Sequence, residues 1–218
     1  MAENVCYLYI NGLGDGYTTP KDKLVSWWWL RKNLTIEHAH VNWYDGESFD
    51  EKLSQIETMV DEMLRTSGGV AIIGSSAGGS LALNTLFAMR DKNVCAVVAH
   101  GRIKAGDYPK AHRMSLFHRA HLDTDKPSQA FFDSVTHCEN TTLQAMSSTD
   151  KKRVLLLTQL NDMVVPMNCM RDDELSEHRS LAFGHSGGFL AHLLADRDFD
   201  CRFCKQYTHI VTRCCLVV

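Results

Sequence analysis

The sequence predicts an α/β protein, a three-layer α/β/α sandwich on a mainly parallel sheet of about six strands. Three observations predict it. Short runs rich in Val, Ile and Leu recur at strand length, stretches of helical character lie between them, and turns bearing glycine follow several of the runs.

The elements follow in chain order. Val5 to Ile10 is the first strand, closed by Asn11-Gly12-Leu13-Gly14. A helix is expected over Lys21 to Lys32, where Trp27, Trp28 and Trp29 serve packing or line a pocket, and a second strand over Ala39 to Trp43. Asp50 to Arg65 carries the clearest helical pattern, with Leu53, Ile56, Val60, Met63 and Leu64 on one face and Asp, Glu and Lys on the other. Val70 to Ile73 and Val94 to Ala99 read as buried strands separated by a helix over Gly78 to Arg90. The connection spanning residues 101–150 is far longer than an ordinary crossover, and its Met114, Leu116, Phe117, Phe131 and Phe132 among four histidines suggest a small helical cap within one domain spanning 1–218. Val154 to Leu157, continuing towards Leu160, is the fifth strand; a helix over Met167 to Glu174, a strand over Ser180 to Phe183 and a helix over Gly188 to Ala195 complete the alternation.

Composition narrows the function classes. Lys plus Arg number 23 against 26 Asp plus Glu, a net charge of -3, so no basic field draws the chain to nucleic acid and a small uncharged ligand is the expected partner. No apolar run reaches the ~18 residues of a membrane span. Residues Met1 to Asn4 lack a basic n-region and the apolar run after them is short, which leads to the expectation of a cytoplasmic protein with its eight cysteines reduced. The sequons at Asn33 and Asn140 are then expected to be unused.

Gly74-Ser75-Ser76-Ala77-Gly78 lies between the apolar run Val70 to Ile73 and the helical stretch that starts at Gly78. A serine on so sharp a strand-to-helix turn needs small neighbours two residues either side, because any larger side chain collides with adjacent backbone. Ser76 is therefore the candidate nucleophile, and the Ala77 N–H, at the start of a helix, is a candidate donor to a developing oxyanion. The turn lacks the Lys of a phosphate-binding loop, and Gly12-Leu13-Gly14-Asp15-Gly16 lacks dinucleotide spacing; the first glycine cluster instead offers the Leu13 N–H as a second oxyanion donor. Serine needs a base, and the base needs an orienting acid. Asp162 follows the Val154 run, and His185 follows Ser180 to Phe183, each in a loop after a strand. Competing roles are helix capping for Asp162 and other histidines, His100 and His192 among them, for the base.

Gly74-Ser75-Ser76-Ala77-Gly78, Asp162 before Val165-Pro166, and Gly184-His185 together resemble the α/β-hydrolase family over nearly the whole chain. The resemblance implies a reduced form of that sheet, a triad of Ser76, Asp162 and His185, and an oxyanion hole from Leu13 and Ala77. The chain departs from the family where Asn11-Gly12 stands in place of the frequent His-Gly after the first strand. The implied activity is hydrolysis of an ester-type bond in a small acyl substrate, with no cofactor and no metal. An amidase, thioesterase or peptidase of the same fold, and a non-catalytic receptor for a small ligand, are the alternatives. Cys201, Cys204, His209, Cys214 and Cys215 in the tail have irregular spacing for zinc, and Cys215 to Val218 is an atypical prenylation box.

Overall fold

A computed structural model describes residues 5–13, 36–106, 127–162 and 164–183. Six strands form one sheet: β1 (Val5–Ile10), β2 (Ile36–Ala39), β3 (Gly69–Ser75), β4 (Val94–Ala99), β5 (Val154–Asn161) and β6 (Ser176–Phe183), in the spatial order β2-β1-β3-β4-β5-β6. Every pairing is parallel. The helices among the described residues are α1 (Phe49–Leu64), α2 (Gly78–Ala88), α3 (Gln129–His137), α4 (Leu143–Ala145), α5 (Ser148–Lys151) and α6 (Met167–Met170), with a π-helical turn at Cys138–Thr142 joining α3 to α4.

Strand alternation splits the core into two layers. Leu8, Ile10, Val70, Ile72, Ala96, Val98, Val154 and Leu156 face a cluster that includes Ile56 and Val60 of α1, Leu81 and Leu83 of α2 and Phe131 of α3. Tyr7, Tyr9, Ala71, Ile73, Cys95, Val97, Leu155 and Leu157 form a second buried cluster. Both faces being buried explains why β3 and β4 read as continuous apolar runs rather than alternating ones.

Helix α1 starts at a capping box: the Glu51 N–H donates to Ser48 Oγ at 3.3 Å while Glu51 Oε2 accepts from the Ser48 N–H at 2.7 Å. The expected apolar face is largely correct, but Lys52 does not join the solvent side. It is buried with Phe49, Ile56 and Val60, its ammonium held by Asp45 at 2.6 Å and Glu47 at 3.0 Å. Its aliphatic stem packs as an apolar residue while the head finds two carboxylates, which a binary pattern does not distinguish.

The second strand is displaced from the expected Ala39–Trp43 to Ile36–Ala39. Val41 and Trp43 are buried, but in a loop, where Val41 bonds to a side chain instead of a ladder. The helix expected over Met167 to Glu174 ends at Met170, and β6 begins earlier than Ser180, at Ser176. In the 101–150 connection, α3 packs against α1 and α2 in the lateral helical layer. Residues 107–126 of the cap expected over 101–150, the helices over Lys21–Lys32 and Gly188–Ala195, the Trp trio and the cysteine-bearing tail lie outside the described residues. No helix among the described residues is long and apolar enough to cross a membrane.

Candidate active site

Strand β1 lies between β2 and β3, so the chain leaves β1 in one direction and later returns to its other side. Such a reversal opens a crevice beyond the carboxyl ends of the two strands. Ile10 is paired with Gly74, which makes Asn11-Gly12 and Ser75-Ser76 leave the sheet side by side.

At the end of β3 the backbone turns sharply. Ser76 has φ of 52°, a left-handed conformation that a non-glycine residue adopts only when its surroundings enforce it. The enforcing contacts are on both sides. The Ser76 N–H donates to Ala99 O at 3.3 Å, and Ser76 O accepts from the N–H groups of Gly79 at 3.2 Å and Arg102 at 2.9 Å. A Cβ at Gly74 would lie 2.3 Å from Gly78 O, and one at Gly78 would lie 2.6 Å from Ile10 O, so neither position admits a side chain. Ser76 is half-buried, whereas Ser75 is buried at the end of the strand. Ala77 directly precedes α2 and is itself buried.

The loop after β1 presses directly on this turn. A Cβ at Gly12 would stand 2.9 Å from Ser76 Cβ and 3.4 Å from its Oγ, which shows how closely the Gly12 backbone approaches the hydroxyl. Leu13, the next residue, is half-buried and packs against the main core cluster. Gly101 performs a similar role on the other flank, where a Cβ would meet Val98 Cγ1 at 2.4 Å and Gly79 Cα at 2.8 Å.

Asp162 follows β5 directly, after a register shift between Gln159 and Asn161 that redirects the strand's end. Its Oδ1 accepts from the Val164 N–H at 2.7 Å and the Val165 N–H at 2.9 Å, closing a tight turn. Asp162 does not cap α6, whose N-cap is Pro166 without a side-chain bond; its turn closes immediately before that proline. Residues 100–106 tie this region to the serine turn. Arg102 donates its N–H to Ser76 O, while the N–H groups of Ile103 and Lys104 donate to Cys169 O in α6 at 2.9 and 3.2 Å. The Lys104 ammonium also meets Asp172 at 3.0 Å. Nothing in the spacing of these residues announced the bridge; Gly101 was its only local signal.

His185 lies outside the described residues; Phe183, two positions earlier, pairs with Asn161, so β5 and β6 end level with one another. His100, a competitor for the base, follows β4 with φ of 52° and is buried. Its N–H donates to Leu157 O at 2.8 Å. Among the described residues no group of three or more His, Cys, Asp or Glu side chains is gathered as a metal site.

No protein-family model and no curated protein sequence matches the chain. Solved structures do. A meta-cleavage product hydrolase from Pseudomonas fluorescens IP01 superposes with a TM-score of 0.56 at 15% identity, over 97% of this chain and 92% of that one. The fold is that of the α/β-hydrolases. A monoacylglycerol lipase from Paleococcus ferrophilus aligns with a TM-score of 0.54 at 13% identity, covering 94% of each chain. The pyrethroid hydrolase PytH aligns with a TM-score of 0.56 at 13% identity, over 96% of this chain and 98% of that one. In this sheet Ser76 stands at the turn between β3 and α2, with Asn11-Gly12 in the loop beside it.

Proposed function

We propose that the chain is a serine hydrolase that cleaves an ester-type bond in a small acyl substrate. The observation that carries this reading is the left-handed Ser76 turn with Gly12 packed against it. A strained backbone at a serine hydroxyl beside a switch-point crevice is what an exposed nucleophile requires. Structural neighbours named as a monoacylglycerol lipase and a pyrethroid hydrolase support the class of reaction.

In the proposed mechanism Ser76 Oγ attacks the substrate carbonyl as His185 takes its proton. The N–H groups of Leu13 and Ala77 stabilise the oxyanion; collapse of the tetrahedral intermediate returns the proton to the leaving alcohol. Water, activated by His185, then releases the acid from Ser76. Asp162 orients His185, and the N–H groups of Val164 and Val165 hold its carboxylate in place through Oδ1. The proposal includes a single domain over 1–218 with a lid formed within 101–150, a cytoplasmic setting, and no dependence on a cofactor or metal.

Covalent labelling by a fluorophosphonate, read by intact mass and peptide mapping, tests it. One adduct per chain at Ser76, absent from Ser76→Ala, is expected, together with a loss of at least ~10³-fold in hydrolysis of 4-nitrophenyl acetate by the variant. A folded protein that takes no adduct refutes the mechanism.

A further inference from the structure

Asn11 is buried at the carboxyl end of β1, and its amide is engaged at both ends. Oδ1 accepts from the Val41 N–H at 2.7 Å, while Nδ2 donates to Val41 O at 3.2 Å and to Gly12 O at 3.0 Å. Flipping the amide would set its NH2 group against the Val41 N–H, so this orientation alone satisfies the three partners. The first two bonds hold the 40–46 loop to β1 as a strand partner would. The third does something different.

Gly12 O and the Leu13 N–H belong to one peptide unit, which is planar and trans, as every peptide bond among the described residues is. Holding the carbonyl towards the Asn11 amide therefore points the Leu13 N–H the opposite way. The Gly12 backbone is also fixed by its approach to Ser76, and Gly78 abuts Asn11 O on the other side, where a Cβ would fall 2.8 Å away. Rotation of this one peptide plane is thus restrained at its oxygen and at its Cα.

We propose that Asn11 is a positioning residue for catalysis: its side-chain amide, anchored on Val41, locks the Gly12–Leu13 peptide plane so that the Leu13 N–H is preorganised as an oxyanion donor. This rests on the hydrolase reading above. Preorganised donors stabilise charge that develops only in the transition state, so losing the lock lowers kcat and leaves ground-state binding nearly untouched. A clamp that merely held the 40–46 loop would lower stability and leave turnover per folded molecule unchanged.

The test uses Asn11→Asp, which retains an acceptor for the Val41 N–H and loses both donors, beside Asn11→Ala. For both, kcat and KM for 4-nitrophenyl acetate are measured per folded molecule, with the inhibition constant of an aryl trifluoromethyl ketone that forms an oxyanionic hemiketal on the serine. The expected result is a fall of about 10- to 100-fold in kcat, a KM within about threefold, and a parallel loss of ketone affinity. Full kcat in folded Asn11→Asp overturns the positioning role alone, provided the wild type is labelled at Ser76. A wild type that takes no fluorophosphonate refutes the hydrolase reading and the positioning role with it. Should neither variant fold, the wild type decides: on formation of the ketone adduct the Leu13 amide proton moves downfield in its NMR spectrum, and an unmoved resonance overturns the proposal.

Discussion

Gly74 and Gly46 differ only in what surrounds them, and the difference sets the cost of a methyl group. At Gly74 a Cβ would meet Gly78 O at 2.3 Å and Ala82 Cβ at 2.7 Å, both fixed by the start of α2, whereas at Gly46 nothing lies within 4 Å. Overpacking against backbone that has no room to yield costs about 3 kcal/mol, and an open surface position tolerates the same change within about 0.5 kcal/mol. Urea unfolding of Gly74→Ala should show a lowered midpoint at unchanged slope, with Gly46→Ala close to the wild type. Equal stabilities for the two variants would mean that the close contacts around the Ser76 elbow do not constrain the turn. The elbow glycines were legible in the sequence because their spacing about Ser76 is dictated by steric exclusion. The Asn11 clamp was not, since Val41 stands thirty residues away and reaches it through backbone atoms, which carry no residue identity.

At the scale of elements, the serine turn and the Asp162 turn are held together by the 100–106 segment, and part of that bridge titrates. Burial raises the Asp172 pKa and is the largest single influence on it. The hydrogen bond from Lys104, the Glu174 N–H and the charges of Lys104 and Lys151 together outweigh burial, and the carboxyl is held below its ordinary value. With the folded pKa depressed, the associated stability is fully present above the unfolded carboxylate value of ~3.9 and disappears as pH falls through the lower folded value. Asp172→Asn should therefore be less stable than the wild type near about pH 6, by no more than about 1 kcal/mol for a half-buried pair still reached by solvent, with the gap closing below about pH 4. A gap that stays constant with pH, measured by urea unfolding across that range, would assign the loss to packing instead. The strands were readable because both sheet faces are buried and their apolar runs are uninterrupted. The shift of β2 to Ile36–Ala39 was not, because a buried loop and a buried strand share the apolar residues Val41 and Trp43.

For the molecule as a whole, the two core clusters are not separable, because β1, β3, β4 and β5 each contribute to both. Leu8 and Ile10 face one cluster while Tyr7 and Tyr9 face the other, and Ile72 and Ile73 divide in the same way. The part of the connection after β4 that carries α3 joins this arrangement. Phe131 of α3 packs edge-on against Trp43 at a centroid distance of 5.7 Å. Behind it a buried polar network links α2 to α3 and the π-helical turn: Ser80 Oγ lies 2.9 Å from Ser134 Oγ, Asn84 Nδ2 donates to Ser134 O at 2.9 Å, and Thr142 Oγ1 donates to Asn84 Oδ1 at 2.7 Å. Detaching α3 would leave Ser80 and Asn84 of α2 without their Ser134 partners, at a cost of about 1–3 kcal/mol for each buried group left unsatisfied. Partial unfolding of the connection is therefore disfavoured relative to unfolding of the entire sheet. Urea denaturation followed by far-ultraviolet circular dichroism and by tryptophan fluorescence should give coincident single transitions. A tryptophan signal that moves first, while the circular dichroism of the sheet persists, would instead show that the domain does not unfold as one cooperative unit.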